Sequence, residues 1–116
     1  MQQDQWQCIE APEEGSARSF ALHIAGEPSE GFVLRFKGRL HAYINRCPHA
    51  GSTLDWVPGR FFSPDGKMLL CQTHGAMFAP DDGACLAGPC PSGLTPLPLK
   101  EQDDELLVPL RLQHQA

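Results

Sequence analysis

The chain has 116 residues, of which 41% belong to the A, V, I, L, M, F, W, Y and C set, enough for the core of one compact domain. Gly and Pro contribute 11 residues each, which argues against a helical bundle and for short strands joined by many turns. With 9 Lys plus Arg against 14 Asp plus Glu the formal charge is -5, which makes the chain a poor candidate for binding nucleic acid or an anionic membrane surface.

The first 18 residues are polar, with a loop at 11–15 and Cys8 in a candidate strand. They carry neither the basic start nor the apolar stretch of a secretory signal. The longest uninterrupted apolar run, 68–71, falls far short of the roughly 20 residues that span a bilayer. A cytoplasmic location is therefore expected. Phe20, Leu22 and Ile24 alternate with Ala21 and His23, a period of two that predicts a strand. The run 32–36 predicts another, and a turn at 37–39 leads into a third at 40–45, together a hairpin.

Loop chemistry follows at 46–52, and Pro58, Gly59, Pro64 and Asp65-Gly66 keep 55–66 irregular. Short strands are predicted at 67–70 and around Ala76-Met77-Phe78, with a turn at Asp81-Asp82-Gly83. Pro89, Pro91, Pro96 and Pro98 mark an extended stretch that no helix can use. Segments 97–99 and 105–108 flank Asp103-Asp104 and predict a closing hairpin. No window has helical periodicity with caps. The expectation is one all-β domain over 1–116, with about eight short strands.

Five cysteines (Cys8, Cys47, Cys71, Cys85, Cys90) cannot form a complete intrachain disulfide set. In a reducing compartment, clustered Cys and His point instead to metal or catalytic chemistry. Cys47 and His49 form a C-x-H unit, and Cys71 and His74 a C-x-x-H unit, with 21 residues between His49 and Cys71. Each unit follows a predicted strand, and Gly51 or Gly75 comes close behind. A thiolate and an imidazole so close in sequence can aim at one spot from a tight loop, and the glycine lets backbone N–H groups approach. Two such loops face to face would supply two sulfurs and two nitrogens. That donor set suits zinc and also an iron–sulfur centre. Structural zinc sites of this composition usually place both Cys before both His. The alternation Cys-His-Cys-His suits a binuclear centre in which one iron takes both cysteines and the other both histidines.

The pattern C-x-H…C-x-x-H, continued by Gly75-Ala76-Met77-Phe78 and by the stretch from Asp82 to Pro89, resembles the Rieske [2Fe-2S] proteins. The likeness covers roughly residues 18–110, and the interval between the two units is slightly longer than in the commonest ferredoxin-type members. It implies a fold of small antiparallel sheets whose two loops form a cluster-binding subdomain, at about 45–92. It also implies one [2Fe-2S] cluster, with Cys47 and Cys71 on the inner iron, His49 and His74 on the outer one, and a cover loop at Gly88-Pro89. High-potential members join their two loops by a disulfide at positions that here are Ser52 and Thr73. They place Ser and Tyr hydroxyls near the cluster where this chain has Ala76 and Phe78. All these losses imply a potential toward the low end of the Rieske range, about -150 mV.

The remaining residues carry less. Cys85 is expected as a buried small hydrophobe, Cys90 as a free thiol and Cys8 as structural. His23, His41 and His114 stand alone, Trp6 and Trp56 read as packing anchors, and Asp81-Asp82 as a turn rather than a catalytic pair. The functional expectation is a monomeric one-electron carrier, a ferredoxin passing electrons from a reductase to an oxygenase or similar terminal enzyme. The alternatives are a small Rieske subunit of a nitrite-reductase-like complex and, behind it, a structural zinc module. An oxygenase in its own right would need a second domain for a mononuclear iron site. The net acidity would steer such a carrier toward a basic docking face, or it serves solubility alone.

Overall fold

The computed structural model describes residues 5–46, 54, 60–71, 75–88, 92–102 and 105–112. Among them are nine strands and no helix: β1 (Gln5–Ile9), β2 (Ala17–Ile24), β3 (Glu27–Phe36), β4 (Arg39–Ile44), β5 (Leu69–Leu70), β6 (Met77–Phe78), β7 (Cys85–Ala87), β8 (Lys100–Gln102) and β9 (Glu105–Leu112). They form two sheets. A six-stranded sheet runs β1-β9-β2-β3-β4, with β8 paired to β9, and a three-stranded sheet runs β5-β6-β7. Pairing is antiparallel except between β2 and β9, which run parallel at His23–Arg111 and Ile24–Leu112.

The expected hairpin of β3 and β4 is present, turning at Lys37 and Gly38 with φ of 52° and 79°. Positive φ at both central residues gives the turn a twist that matches the strands. The Glu14 carboxylate accepts hydrogen bonds from the N–H of Lys37 (2.8 Å) and of Gly38 (2.7 Å), fixing the turn from outside. A second hairpin, β2 with β3, uses a like turn at Ala25 (φ 52°) and Gly26 (φ 81°). Sequence reasoning started β3 at residue 32, and the structure extends it back to Glu27. In the structure Pro28 pairs with His23 near the strand's start. Gly31 is required for space, since a Cβ there would lie 2.7 Å from Phe20 Cζ and 2.8 Å from Leu97 Cδ1.

The unbroken apolar run of β3 has a physical reason. Phe32 and Leu34 face one core cluster with Tyr43, Leu54, Phe61, Leu69, Cys71, Ala76, Phe78 and Leu94. Val33 faces the other, with Phe20, Leu22, Ile24, Ala42, Ile44, Leu97, Leu106, Val108 and Leu112. The β3–β4 hairpin is thus a wall shared by two cores, buried on both sides as few antiparallel hairpins are. Phe32 and Phe61 stack with centroids 4.1 Å apart, tying the small sheet's approach segment to that wall. Segment 92–97 runs along β4, with Ile44 N–H donating to Thr95 O and Leu97 N–H to Ala42 O.

The closing hairpin also forms, but as β8 with β9, a few residues later than expected for its first arm. Strand β7 had no periodic signal in three residues. The expected strand at 67–70 shortens to Leu69–Leu70, where Leu70 N–H donates to Phe61 O (2.8 Å).

Candidate metal centre

Of the four expected ligands, Cys71 lies within the described residues, while Cys47, His49 and His74 lie outside them. Cys71 is fully buried, at 0% exposure, one residue past the end of β5. Its N–H donates to Ala76 O (2.8 Å), and its own carbonyl accepts from Gly75 N–H (2.9 Å). These two bonds close a tight loop from Cys71 to Ala76, the predicted C-x-x-H-G unit. Gly75 sits at φ 74°, the left-handed conformation that the sequence reading assigned to a glycine after the second ligand.

The first loop is closed by a residue that sequence reasoning passed over. The buried Asn45, at the end of β4, accepts a hydrogen bond at Oδ1 from Leu54 N–H (2.9 Å). One side chain thereby spans the base of residues 46–53. The only sequence signal was an amide residue where a strand runs into a loop, and that is common in any turn. Leu54, Cys71 and Ala76 then pack into one buried cluster, so the two loop bases are held together by the same core.

A third segment converges there. A Cβ on Gly88 (φ 87°) would lie 2.8 Å from Ala76 Cα and 3.2 Å from Gly75 O, so this glycine is backbone packed on the exit of the second loop. The segment is tied at its base by Leu94 N–H donating to Gly83 O (2.8 Å), with Gly93 pressed against the Gly83 carbonyl. Below it, Tyr43 donates its hydroxyl to Pro80 O (2.9 Å). Burial, with the Asp81 and Asp82 carboxylates adding to it, pushes this phenol well above its ordinary range. Asp82 accepts from Ala84 N–H (2.9 Å), the expected turn role. At the approach to β5, Ser63 donates to Asp65 (2.5 Å), which holds that carboxyl below its usual value.

Cys85 differs from expectation. It is half-buried and disulfide-bonded, where an inert hydrophobe was expected, because β7 leaves it at the edge of the core instead of inside. Cys90, expected as a free thiol, lies outside the described residues. Cys8 is a free, exposed thiol on β1. Trp6 is half-buried with the Lys100 ammonium 4.4 Å from its ring centroid, and Trp56 lies outside the described residues. No group of three or more His, Cys, Asp or Glu gathers among the described residues, three of the four expected ligands not being among them. No helix among them is long and apolar enough to cross a membrane.

What is described fits an iron–sulfur cluster. A buried cysteine follows directly on a strand, Gly75 bonds back to its carbonyl, and the Gly88 backbone presses on Ala76 beyond it. The fold and these loops define a small all-β metal-binding protein. Residues 5–98 match the Rieske [2Fe-2S] domain, and the chain belongs to that family, whose cofactor is one Rieske-type [2Fe-2S] cluster. No curated protein matches the chain. Among solved structures, the chain is similar to one in the complex of reduced oxygenase and oxidized ferredoxin in carbazole 1,9a-dioxygenase. The two share 19% identity and a TM-score of 0.68 over 96% of this chain and 95% of that one. The ferredoxin of carbazole 1,9a-dioxygenase from Nocardioides aromaticivorans IC177 shares 24% identity and a TM-score of 0.61 over 87% of this chain and 95% of that one. A quaternary ammonium Rieske monooxygenase shares 19% identity and a TM-score of 0.67, over 96% of this chain but 32% of its own length. At these identities the likeness is one of fold.

Proposed function

We propose that this protein is a one-electron carrier, a Rieske ferredoxin of the low-potential kind, formed as one domain over 1–116. Cys47 and Cys71 hold the inner iron, and His49 and His74 the outer one. The observation that carries this reading is the buried Cys71 thiol at the base of a loop closed by the Cys71–Ala76 hydrogen bond. Bound there, the cluster accepts and releases one electron. The chain's own task is to exclude water from the cysteine side, through Leu69, Ala76 and Phe78 at 0% exposure, and to keep both loops from relaxing. A fixed, dry ligand shell lowers the reorganisation that electron transfer requires.

Ala76 and Phe78 are both fully buried beside this loop, and neither side chain can donate a hydrogen bond to a cluster sulfur. A potential near the low end of the Rieske range, about -150 mV, follows. Redox titration checks it: Ala76→Ser and Phe78→Tyr should each raise the midpoint, because a new donor favours the reduced cluster. A clearly positive midpoint in the unaltered protein would overturn the low-potential reading.

The carbazole 1,9a-dioxygenase complex pairs a ferredoxin with an oxygenase, and likeness of fold to that system supports an oxygenase-type acceptor here, fed by a reductase. The formal charge of -5 supports docking on basic faces of both partners.

A further inference from the structure

The large sheet carries a cavity that electron transfer does not use. It measures about 550 Å³ and lies where β2 turns into β3 and where β4 ends. Ile24 and Ile44, both buried, give it an apolar interior.

Its walls are fixed by backbone hydrogen bonds. The β2–β3 turn is tied to β9 by Ala25 N–H donating to Leu112 O (2.9 Å). Asn45 N–H donates to Glu30 O (2.8 Å), which carries the β3–β4 ladder one residue past Ile44. Arg46 N–H then turns back onto Ile44 O (2.9 Å). On the remaining side Ile44 N–H donates to Thr95 O (2.9 Å), and Leu94 N–H donates to Gly83 O (2.8 Å), fastening the chain beside Ser92 and Gly93. Walls already bonded in place leave little to order when a ligand arrives.

The polar groups on these walls are of both signs. Arg46 contributes a guanidinium and Glu27 a carboxylate, while Ser29, Ser92 and Thr95 add hydroxyls. Among the described residues the one ion pair is Arg18 with Glu10, so Arg46 and Glu27 line the same cavity without neutralising each other. A simple anion would meet Glu27 there, and a simple cation would meet Arg46, each at a like-charge cost. A quaternary ammonium is recognised by a cage of aromatic faces, and no aromatic residue lines the cavity among the described ones. The complement is a molecule with one carboxylate, one ammonium that can donate hydrogen bonds, and an aliphatic body.

We propose that this cavity binds such a zwitterion, a free aliphatic amino acid or a short peptide of the same chemistry. The carboxylate pairs with the Arg46 guanidinium and accepts from the hydroxyls, the ammonium pairs with Glu27, and the aliphatic part lies on Ile24 and Ile44. The site uses none of the proposed cluster ligands, so it stands or falls apart from the carrier reading.

Equilibrium dialysis of the full-length iron-loaded protein against radiolabelled L-leucine, and against L-leucyl-L-leucine, tests this. Saturable binding at about one molecule per chain is expected for at least one of them, and the tighter of the two identifies amino acid or peptide as the ligand. 4-Methylpentanoate lacks the ammonium and isopentylamine lacks the carboxylate. Each should bind at least about tenfold more weakly than leucine, the loss of one charge-assisted contact. Arg46→Gln and Glu27→Gln should each weaken binding by a similar factor at unchanged iron content. Arg60→Gln alters an exposed arginine that does not line the cavity and should leave binding as it was. Absence of saturable binding of both probes at millimolar concentration would overturn the inference, as would 4-methylpentanoate or isopentylamine binding as tightly as leucine. Full affinity in both cavity variants would overturn it too. Should a variant fold without iron, the comparison of probes on the unaltered protein decides alone.

Discussion

Tyr43 is the sole tyrosine of the chain, which makes its phenol a clean reporter of the core beneath the site. Its hydroxyl donates to Pro80 O, and burial beside two aspartates disfavours the phenolate. The folded phenol therefore ionises above the unfolded value of about 10. The stability it contributes is complete below that value and is lost as pH rises toward the folded one. We expect phenolate absorbance to appear together with loss of near-ultraviolet circular dichroism. Reversible ionisation near pH 10 in still-folded protein would show that the phenol is not held as described. Tyr43→Phe should cost about 1–3 kcal/mol in denaturant unfolding, since it orphans a buried carbonyl.

Residue types alone single out Cys47, His49, Cys71 and His74 as the proposed ligands, because four donors at fixed short spacings carry the chemistry in their order. Asn45 was not legible in the same way. Its importance depends on Leu54, nine positions on, bringing its N–H to the Asn45 amide oxygen. Cys85 was misread for a related reason: burial and bonding depend on where β7 ends, and its three residues give no period to read.

At the scale of elements, turns decided most departures from expectation. The β3–β4 hairpin was recognisable through Lys37-Gly38, but β2 and β3 were not joined, since Ala25 at φ 52° is an unusual turn residue and leaves no clear signal. Strand β3 reaches back through Gly31 because Phe20 and Leu97 fill the space a side chain would take. Gly31→Ala should accordingly destabilise the fold by about 1–3 kcal/mol, read from the shift in denaturant midpoint. Gly88→Ala meets backbone instead of side chain, 2.8 Å from Ala76 Cα, and that neighbour cannot yield. Its expected result is a second loop that closes less well and a protein that loses iron to chelator faster than the unaltered one. Equal retention would mean that the cradle does not support the loop.

For the molecule as a whole, the apolar composition is divided between two cores on either side of the β3–β4 wall. One core is enclosed by the large sheet, and the other exists to hold the bases of both loops. The glycines divide in the same way: Gly26 and Gly38 turn the hairpins of the large sheet, while Gly75 and Gly88 hold left-handed conformations beside the second core. The charge of -5 acts at this scale too. Association with a reductase should slow steeply as ionic strength rises and the Debye length falls below about 10 Å. A salt-independent rate would assign the acidity to solubility alone.

The central claim is that two Cys–His loops hold a binuclear iron–sulfur cluster, and elemental analysis of the purified protein meets it most directly. The account predicts iron and acid-labile sulfide at about two each per chain and no zinc, with Cys71→Ala colourless and iron-free. One zinc per chain, or a Cys71→Ala protein that keeps its iron and its absorption, would contradict it.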